Sequence, residues 1–152
     1  MGLRRKAREY VLQLLFQQDF SQQKTLLNET FRLYRPAAKL IKDFADLLVE
    51  GVTQHISEID SLIQKHAEHW SLERIALVDR NILRIAIFEL LYLDDIPARV
   101  TLNEAIEIAK RYGDESSSAF INGILDKILS EEGRLLTKKV EVQKSLNANQ
   151  GA

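Results

Sequence analysis

The passage from Ile75 to Leu93 constrains the fold most, because apolar residues occupy most faces of a helix drawn through it. A helix that is apolar nearly all round has to be enclosed by other elements, so we predict that it is the central helix. With only six glycines and two prolines, the chain is poorly suited to short strands joined by tight turns. It contains no cysteine, which excludes disulfides, thiolate metal sites and cysteine nucleophiles. The sequence therefore predicts an all-α protein.

Amphipathic patterns around this passage predict the helices that enclose it. Apolar residues recur at helical spacing over three earlier stretches, 3–20, 24–34 and 36–70, the last interrupted near Gly51. After Gly133 the apolar periodicity is lost, and Lys, Gln and Asn become frequent. We predict a single domain over 1–132 and a polar, disordered tail over 133–152.

Cap and turn residues predict how the later helices begin and end. Thr101 and Glu104 have the spacing of a capping box, which predicts that a helix begins at Thr101. Gly113 is expected to end that helix in the left-handed conformation, and Ser116 to cap the last helix. Within the last helix, Gly123 is expected to permit close contact with another helix.

Basic residues are concentrated at the start of the chain, although the total charge is balanced. Twenty-one basic and 22 acidic side chains give a net charge of −1, which argues against a wholly basic nucleic-acid binder. Four cations nevertheless lie together in the first predicted helix: Arg4, Arg5, Lys6 and Arg8. The helix dipole disfavours cations at that end, so their placement indicates another use. Because cations neutralise phosphates and aromatic rings stack on unpaired bases, the cluster and Phe16 predict RNA binding. The alternatives are a frayed, solvated N-terminus and a core position for Phe16.

A run of three serines, Ser116 to Ser118, follows Asp114 and Glu115. Serine hydroxyls and the free N–H groups of a helix start suit an anion such as a phosphate. The alternative is an ordinary helix cap, which the two acidic residues favour because they satisfy the helix dipole themselves.

The sequence gives little support for an enzyme. It contains no glycine-rich phosphate loop, nucleophile elbow or dinucleotide fingerprint. His66 and His69 can share a helical face and bind a metal, but no third ligand accompanies them, so a structural role is the better interpretation. We expect no catalytic residue, metal or cofactor. Apolar runs are far shorter than the ~20 residues of a membrane span, so we expect a cytoplasmic protein.

Four motifs, taken in order, resemble one protein family. They are Val78-Asp79-Arg80-Asn81-Ile82-Leu83-Arg84-Ile85-Ala86, Ile96-Pro97, Asn103-Glu104-Ala105-Ile106-Glu107-Ile108-Ala109-Lys110 and Phe120-Ile121-Asn122-Gly123-Ile124-Leu125-Asp126. With the Arg-rich first helix, their order and spacing resemble the NusB family of transcription antitermination factors over residues 3–130. The resemblance is strongest over 70–128.

This resemblance implies a compact bundle of about seven helices in two helical subdomains, and a role without catalysis. NusB-like proteins pair with NusE, the ribosomal small-subunit protein that doubles as a transcription factor. The pair binds the boxA element of nascent rRNA transcripts and joins RNA polymerase and other Nus factors to suppress termination. The expected partners are therefore boxA RNA, NusE and the polymerase complex.

The resemblance also implies roles for single residues. Those matched to RNA-binding positions are Arg4, Arg5, Lys6, Arg8, Phe16, Glu73, Ser116 and Ser117. Those matched to the NusE side are Asp79, Arg80 and Arg84. The family usually has Lys or Arg immediately before Phe120, where this chain has Ala119. This departure predicts the loss of one phosphate contact.

Two other functions are compatible with the sequence. One is a structural or interaction protein, such as a homodimer that masks its own RNA surface. The other is a detached RNA-binding module of an rRNA methyltransferase system, since NusB-like domains also precede such catalytic domains. A preference for boxA RNA that increases with NusE distinguishes an antitermination factor from both.

Overall fold

The computed structural model describes residues 2–21 and 39–132, and every regular element within these ranges is helical. Six α-helices lie there: α1 (Leu3–Ser21), α2 (Lys39–Gln54), α3 (Ile56–His66), α4 (Leu77–Tyr92), α5 (Ala98–Tyr112) and α6 (Ser117–Glu131). A short 3₁₀ turn, Leu72–Arg74, precedes α4. The all-α prediction is confirmed, and the number of helices is close to that expected. The predicted helix over 24–34 and the tail over 133–152 lie outside the described residues.

The central helix is α4, as its composition predicts. Every residue from 81 to 90 is buried, and α4 packs against each of the other five described helices. The largest fully buried apolar side chains include Leu48, Ile59, Ile63, Leu83, Ile87, Leu90, Ile121, Leu125 and Ile128. Burial of each such side chain stabilises the fold by about 1.5–3 kcal/mol relative to exposure. This core fixes the orientation of the helices around α4.

Helix α1 runs antiparallel to α4 and is joined to it near both ends. Its predicted apolar stripe is buried, and the members are Ala7, Val11, Leu14 and Leu15. Near its start Arg8 pairs with Glu89 of α4, and near its end Asp19 pairs with Arg84. The basic first turns of α1 therefore lie beside the C-terminal end of α4.

The stretch over 36–70, predicted to bend or break near Gly51, contains two described helices, α2 and α3, which meet at His55. Helix α2 approaches α4 closely at Gly51, where a Cβ atom would overlap the ring of Phe88. A glycine is needed there because no side chain fits.

None of the described helices is long and apolar enough to cross a membrane.

Three predictions about individual helix positions are wrong. Helix α5 begins at Ala98, so Thr101 lies inside it, where its buried hydroxyl donates a hydrogen bond to Glu89 at 2.9 Å. Gly113 does end α5, but its φ of −91° is not left-handed. Gly123 is exposed, and a Cβ atom there would meet nothing within 4 Å. The actual roles of Thr101 and Gly123 depend on what surrounds them in space, which local patterns do not contain.

Candidate nucleic-acid interface

The start of α1 distributes its four cations over three environments. Arg4 and Lys6 are exposed, Arg5 is half-buried and Arg8 is buried. Arg4 pairs loosely with Asp95 at 3.4 Å, and both side chains are more than half exposed. Lys6 forms no ion pair with any residue that the structure describes. Arg4 and Lys6 are therefore the cations most available to an anion from solution.

Arg5 is held by a two-point ion pair with Glu104 of α5. Its Nε lies 2.6 Å from Oε2 of Glu104, and its Nη2 lies 3.0 Å from Oε1. The hydrogen bond that Arg5 donates to Glu104 raises the pKa of the Arg5 guanidinium above its ordinary value, although burial opposes this shift. The pair remains accessible, because 29% of the Arg5 side chain and 18% of the Glu104 side chain are exposed.

Arg8 occupies the interior and joins three helices. Its Nε and Nη2 donate to the two carboxylate oxygens of Glu89 at 2.7 and 2.8 Å, and the Thr101 hydroxyl donates to the same carboxylate. Only 4% of the Arg8 side chain and 1% of the Glu89 side chain are exposed. Contact with an RNA phosphate is incompatible with this arrangement, so the geometry gives Arg8 a structural role.

An aromatic ring on α2 supports two of the cations. The guanidinium carbons of Arg4 and Arg8 lie 5.0 and 5.3 Å from the centre of the Phe44 ring. Cation–π contacts of this kind orient a guanidinium without neutralising its charge. Phe44 therefore helps to hold Arg4 at the surface, a role that the sequence did not suggest.

Phe16 lines a surface groove at the other end of α1. The groove has a volume of about 420 Å³ and is lined by Leu12, Gln13, Phe16, Gln17, Val78 and Tyr112. The Phe16 ring stacks on that of Phe20, with centroids 6.4 Å apart, and Phe20 is 78% exposed. Among the described residues that line it, the groove is mainly apolar, with two glutamines and no cation. Phe16 thus lies far along α1 from the basic cluster.

Asp79 lies in the first turn of α4, beside this groove, and is 7% exposed. Its Oδ1 is buried and has no hydrogen-bond partner among the described residues. Burial raises the pKa of the Asp79 carboxyl, the hydrogen bond from Ser117 opposes that shift, and the negative charge of Asp114 adds to it. An unpaired buried acceptor is costly, which favours a partner that supplies a donor.

The serine run is organised around Asp114. One Asp114 carboxylate oxygen accepts hydrogen bonds from the backbone N–H and hydroxyl of Ser116 at 2.9 and 2.8 Å. These bonds hold the pKa of Asp114 below its ordinary value. Ser117 is buried, and its hydroxyl accepts a bond from the Asp114 N–H. Ser116 is the N-cap of α6 by position, but its hydroxyl makes no cap bond to the helix. Asp114 thus accepts from the Ser116 donors that a phosphate would need, which argues against a phosphate site here.

Arg84, matched to the partner side, is buried and bridges three helices. Its Nε and Nη2 contact Asp60 of α3 at 2.8 Å each, and its Nη1 contacts Asp19 of α1 at 2.8 Å. Arg80 is half-buried and donates to the carbonyl oxygen of Leu72 at 3.1 Å. Because its donors are used inside the protein, Arg84 supports the partner side without presenting its charge there.

The remaining candidates are an acidic residue and two histidines. Glu73 is exposed in the 3₁₀ turn, so it is accessible to a partner. His66 is buried, and its ring contacts Glu132 at 3.0 Å and Glu131 at 3.4 Å, whereas His69 is exposed. Over residues 2–21 and 39–132, no group of three or more His, Asp or Glu side chains is arranged to hold a metal ion. The contacts of His66 are those of a residue that joins α3 to α6.

Comparison with known proteins identifies the family. The profile of the NusB family matches residues 5–130, most of the chain. The chain belongs to the NusB family. The transcription antitermination protein NusB of Thermodesulfovibrio yellowstonii is 48% identical over 140 residues, which cover 85% of this chain and 93% of that protein. NusB of Geobacter sulfurreducens is 48% identical over 132 residues, covering 86% and 96%.

Solved NusB structures share the fold described above. NusB of T. maritima superposes with a TM-score of 0.76 at 46% identity, covering 84% of this chain and 91% of that one. A chain from the structure of antitermination factors NusB and NusE with double-stranded RNA gives a TM-score of 0.76 at 30% identity, covering 86% and 98%. The resemblance inferred from sequence motifs is therefore confirmed, and so is the all-α NusB-like fold.

The charge pattern of the sequence does not distinguish the four N-terminal cations of this NusB-family chain from one another. A signal for the difference was present, because Arg8 follows Ala7 and lies one helical turn before Val11 and Leu12, on the border of the apolar stripe. A second signal was Glu89, an acidic residue inside the most apolar helix, since buried charges are normally paired. That Arg8 and Glu89 pair with each other is evident only from the fold.

Proposed function

We propose that this protein is an RNA-binding transcription antitermination factor that pairs with NusE. The pair binds boxA RNA in nascent rRNA transcripts and joins RNA polymerase and other Nus factors in the cytoplasm. The observation that carries the proposal is the match, over 86% of this chain, to a protein solved with NusE and double-stranded RNA. The role is one of binding and assembly, without a catalytic step.

The RNA-binding face in this proposal begins at the first turns of α1. Arg4 and Lys6 supply exposed positive charge, and Arg5 supplies a half-exposed guanidinium. Such groups bind phosphates and release counterions, so the affinity falls as salt rises. Arg8 supports this face from inside through Glu89. Ser116 and Glu73 are exposed near the starts of other helices and border a longer RNA path.

The docking face for NusE lies in this proposal at the start of α4. The groove beside Phe16 offers apolar surface, and the buried Oδ1 of Asp79 next to it lacks a donor, which a basic protein supplies only if docking opens a path to that atom. A ribosomal protein has many such donors, and complementary charge increases the rate and specificity of encounter. We therefore assign Phe16 to partner docking in preference to base stacking. Arg80 and Arg84 hold α4 in place behind this face.

Fluorescence anisotropy with labelled boxA RNA and a scrambled RNA tests the proposal. The protein is titrated alone and with NusE, at two salt concentrations. We expect a preference for boxA that increases when NusE is present, and affinities that fall with salt. Equal and feeble binding of both RNAs, with and without NusE, would contradict the proposal and favour a protein–protein role.

A further inference from the structure

Two carboxylates from other parts of the chain contact the cations at the start of α1. Glu104 occupies the Nε and Nη2 donors of Arg5, the same edge of the guanidinium that binds a phosphate at two points. Glu104 also lies 4.0 Å from Nη1 of Arg8. Asp95, in the turn after α4, contacts Arg4 at 3.4 Å. Two carboxylates of this chain thus lie where RNA phosphates are expected.

We infer that Glu104 is an internal competitor for RNA, which a phosphate must displace from Arg5 before that arginine contributes to binding. Asp95 competes for Arg4 in the same way, through a longer and more exposed ion pair. The inference rests on the proposed RNA-binding function and adds its regulation: the two carboxylates limit the affinity for RNA of any sequence. A specific RNA then needs further contacts, such as those that NusE supplies.

The exposure of each arginine–carboxylate pair determines whether an RNA phosphate can replace the carboxylate. The Arg8–Glu89 pair is buried, so removing either partner leaves an uncompensated charge in the interior. The Arg5–Glu104 pair lies at the protein surface, where an incoming phosphate replaces one anion by another and water solvates the released carboxylate. The Arg4–Asp95 pair is exposed on both sides, and such pairs contribute little. Arg5 is therefore the cation whose availability Glu104 controls.

The test compares Glu104→Gln with Glu107→Gln in the full chain, using boxA RNA and NusE. Both variants remove one negative charge from α5 that acts on Arg5, but Glu104 forms the two-point ion pair with Arg5, whereas Glu107 pairs with Lys110. We expect Glu104→Gln to bind RNA about fivefold more tightly at low salt, and Glu107→Gln to change affinity by less than about twofold. The plot of log affinity against log salt should steepen by about 0.7 for Glu104→Gln, because no freed carboxylate recaptures a cation.

A background that lacks the arginine separates competition from a general charge effect. In Arg5→Gln, the additional substitution Glu104→Gln should no longer increase affinity beyond the effect of Glu107→Gln. Binding by Glu104→Gln that equals or falls below that of Glu107→Gln would overturn the inference and show that Glu104 merely orients Arg5.

Asp95→Asn provides an independent variant at a site that is 69% exposed, where loss of the fold is not expected. We expect it to bind RNA about twofold more tightly than wild type. If Glu104→Gln fails to fold, the Asp95→Asn result decides, and unchanged or weaker binding overturns the inference. Failure of the proposed function is seen separately, as wild-type protein that binds neither boxA nor scrambled RNA.

Discussion

Arg5 and Arg8 lie three residues apart on α1 and carry the same guanidinium group, yet they have different roles in the structure. Arg5 faces α5 at the surface, and Arg8 lies at the junction of α1, α4 and α5. The difference follows from helix geometry, because a step of three residues places Arg8 about 60° from Arg5 around the helix axis, closer to the buried stripe of Ala7 and Val11. A charge cluster read from sequence is therefore divided by the fold into binding and structural members.

Replacement of Arg8 should affect stability more than RNA binding by the folded protein. Arg8→Ala leaves the buried Glu89 carboxylate without its ion-pair partner, so we expect a loss of about 3–5 kcal/mol in the free energy of unfolding. Lys6→Ala, at an exposed position, should change it by less than about 0.5 kcal/mol. Chemical denaturation measures both. An Arg8→Ala protein as stable as wild type would show that the buried pair does not hold the fold.

Asp79 should make stability depend on pH in an unusual direction. Its pKa is raised above 3.8 by burial, so the folded state binds more protons than the unfolded state just above that pH. Stability contributed by Asp79 therefore falls as pH rises through the interval between the two pKa values. We expect Asp79→Asn to become more stable relative to wild type as pH rises from 3 to 7, measured by thermal unfolding. A constant difference across this range would contradict the burial effect.

Helices pack by local shape, and the two glycines on α2 and α6 illustrate this at the scale of the element. Gly51 of α2 touches the Phe88 ring of α4, whereas Gly123 of α6 faces open space. The sequence predicts which stretches are helical and that α4 is central, because periodicity and composition are properties of the segment itself. It misassigns Gly123 and the capping role of Thr101, because those depend on which helices become neighbours.

Alanine substitutions at the two glycines should shift stability in opposite directions. Gly51→Ala adds a methyl group that overlaps the Phe88 ring, so overpacking should cost about 1–3 kcal/mol. Gly123→Ala relieves the poor helix propensity of glycine without a clash and should stabilise by about 0.5–1 kcal/mol. Thermal unfolding of both variants provides the comparison. Stabilisation by Gly51→Ala would mean that α2 and α4 are farther apart than described.

At the scale of the molecule, the two proposed faces lie at opposite ends of one helix. Arg4 and Arg5 are near the end of α4, and the groove lined by Phe16 and Val78 is at its start, where Asp79 follows Val78. A helix of 16 residues is about 24 Å long, so the basic start of α1 lies well away from the groove, while Ser116 and Glu73 extend the proposed RNA path toward the start of α4. The family motifs in the sequence predict both partners. They do not separate the two faces, because that division comes from the antiparallel packing of α1 and α4.

Separate faces should give separable mutants. Phe16→Ala is expected to weaken NusE binding about tenfold, because it removes a large apolar side chain from the groove, while RNA binding by the protein alone changes little. The double variant Arg4→Ala, Lys6→Ala should weaken RNA binding and leave NusE binding near wild type. Titration calorimetry with NusE and anisotropy with RNA measure the two effects. Loss of RNA binding in Phe16→Ala without loss of NusE binding would show that Phe16 belongs to the RNA-binding face.

Transcription through a terminator tests the central claim most directly. A template with boxA in its leader and a template with the scrambled sequence are transcribed by RNA polymerase with NusE and the other Nus factors, in the presence and absence of this protein. An antitermination factor should increase read-through on the boxA template only, and the Arg4→Ala, Lys6→Ala variant should lose most of that increase. Read-through that is the same with and without the protein on both templates would contradict the account.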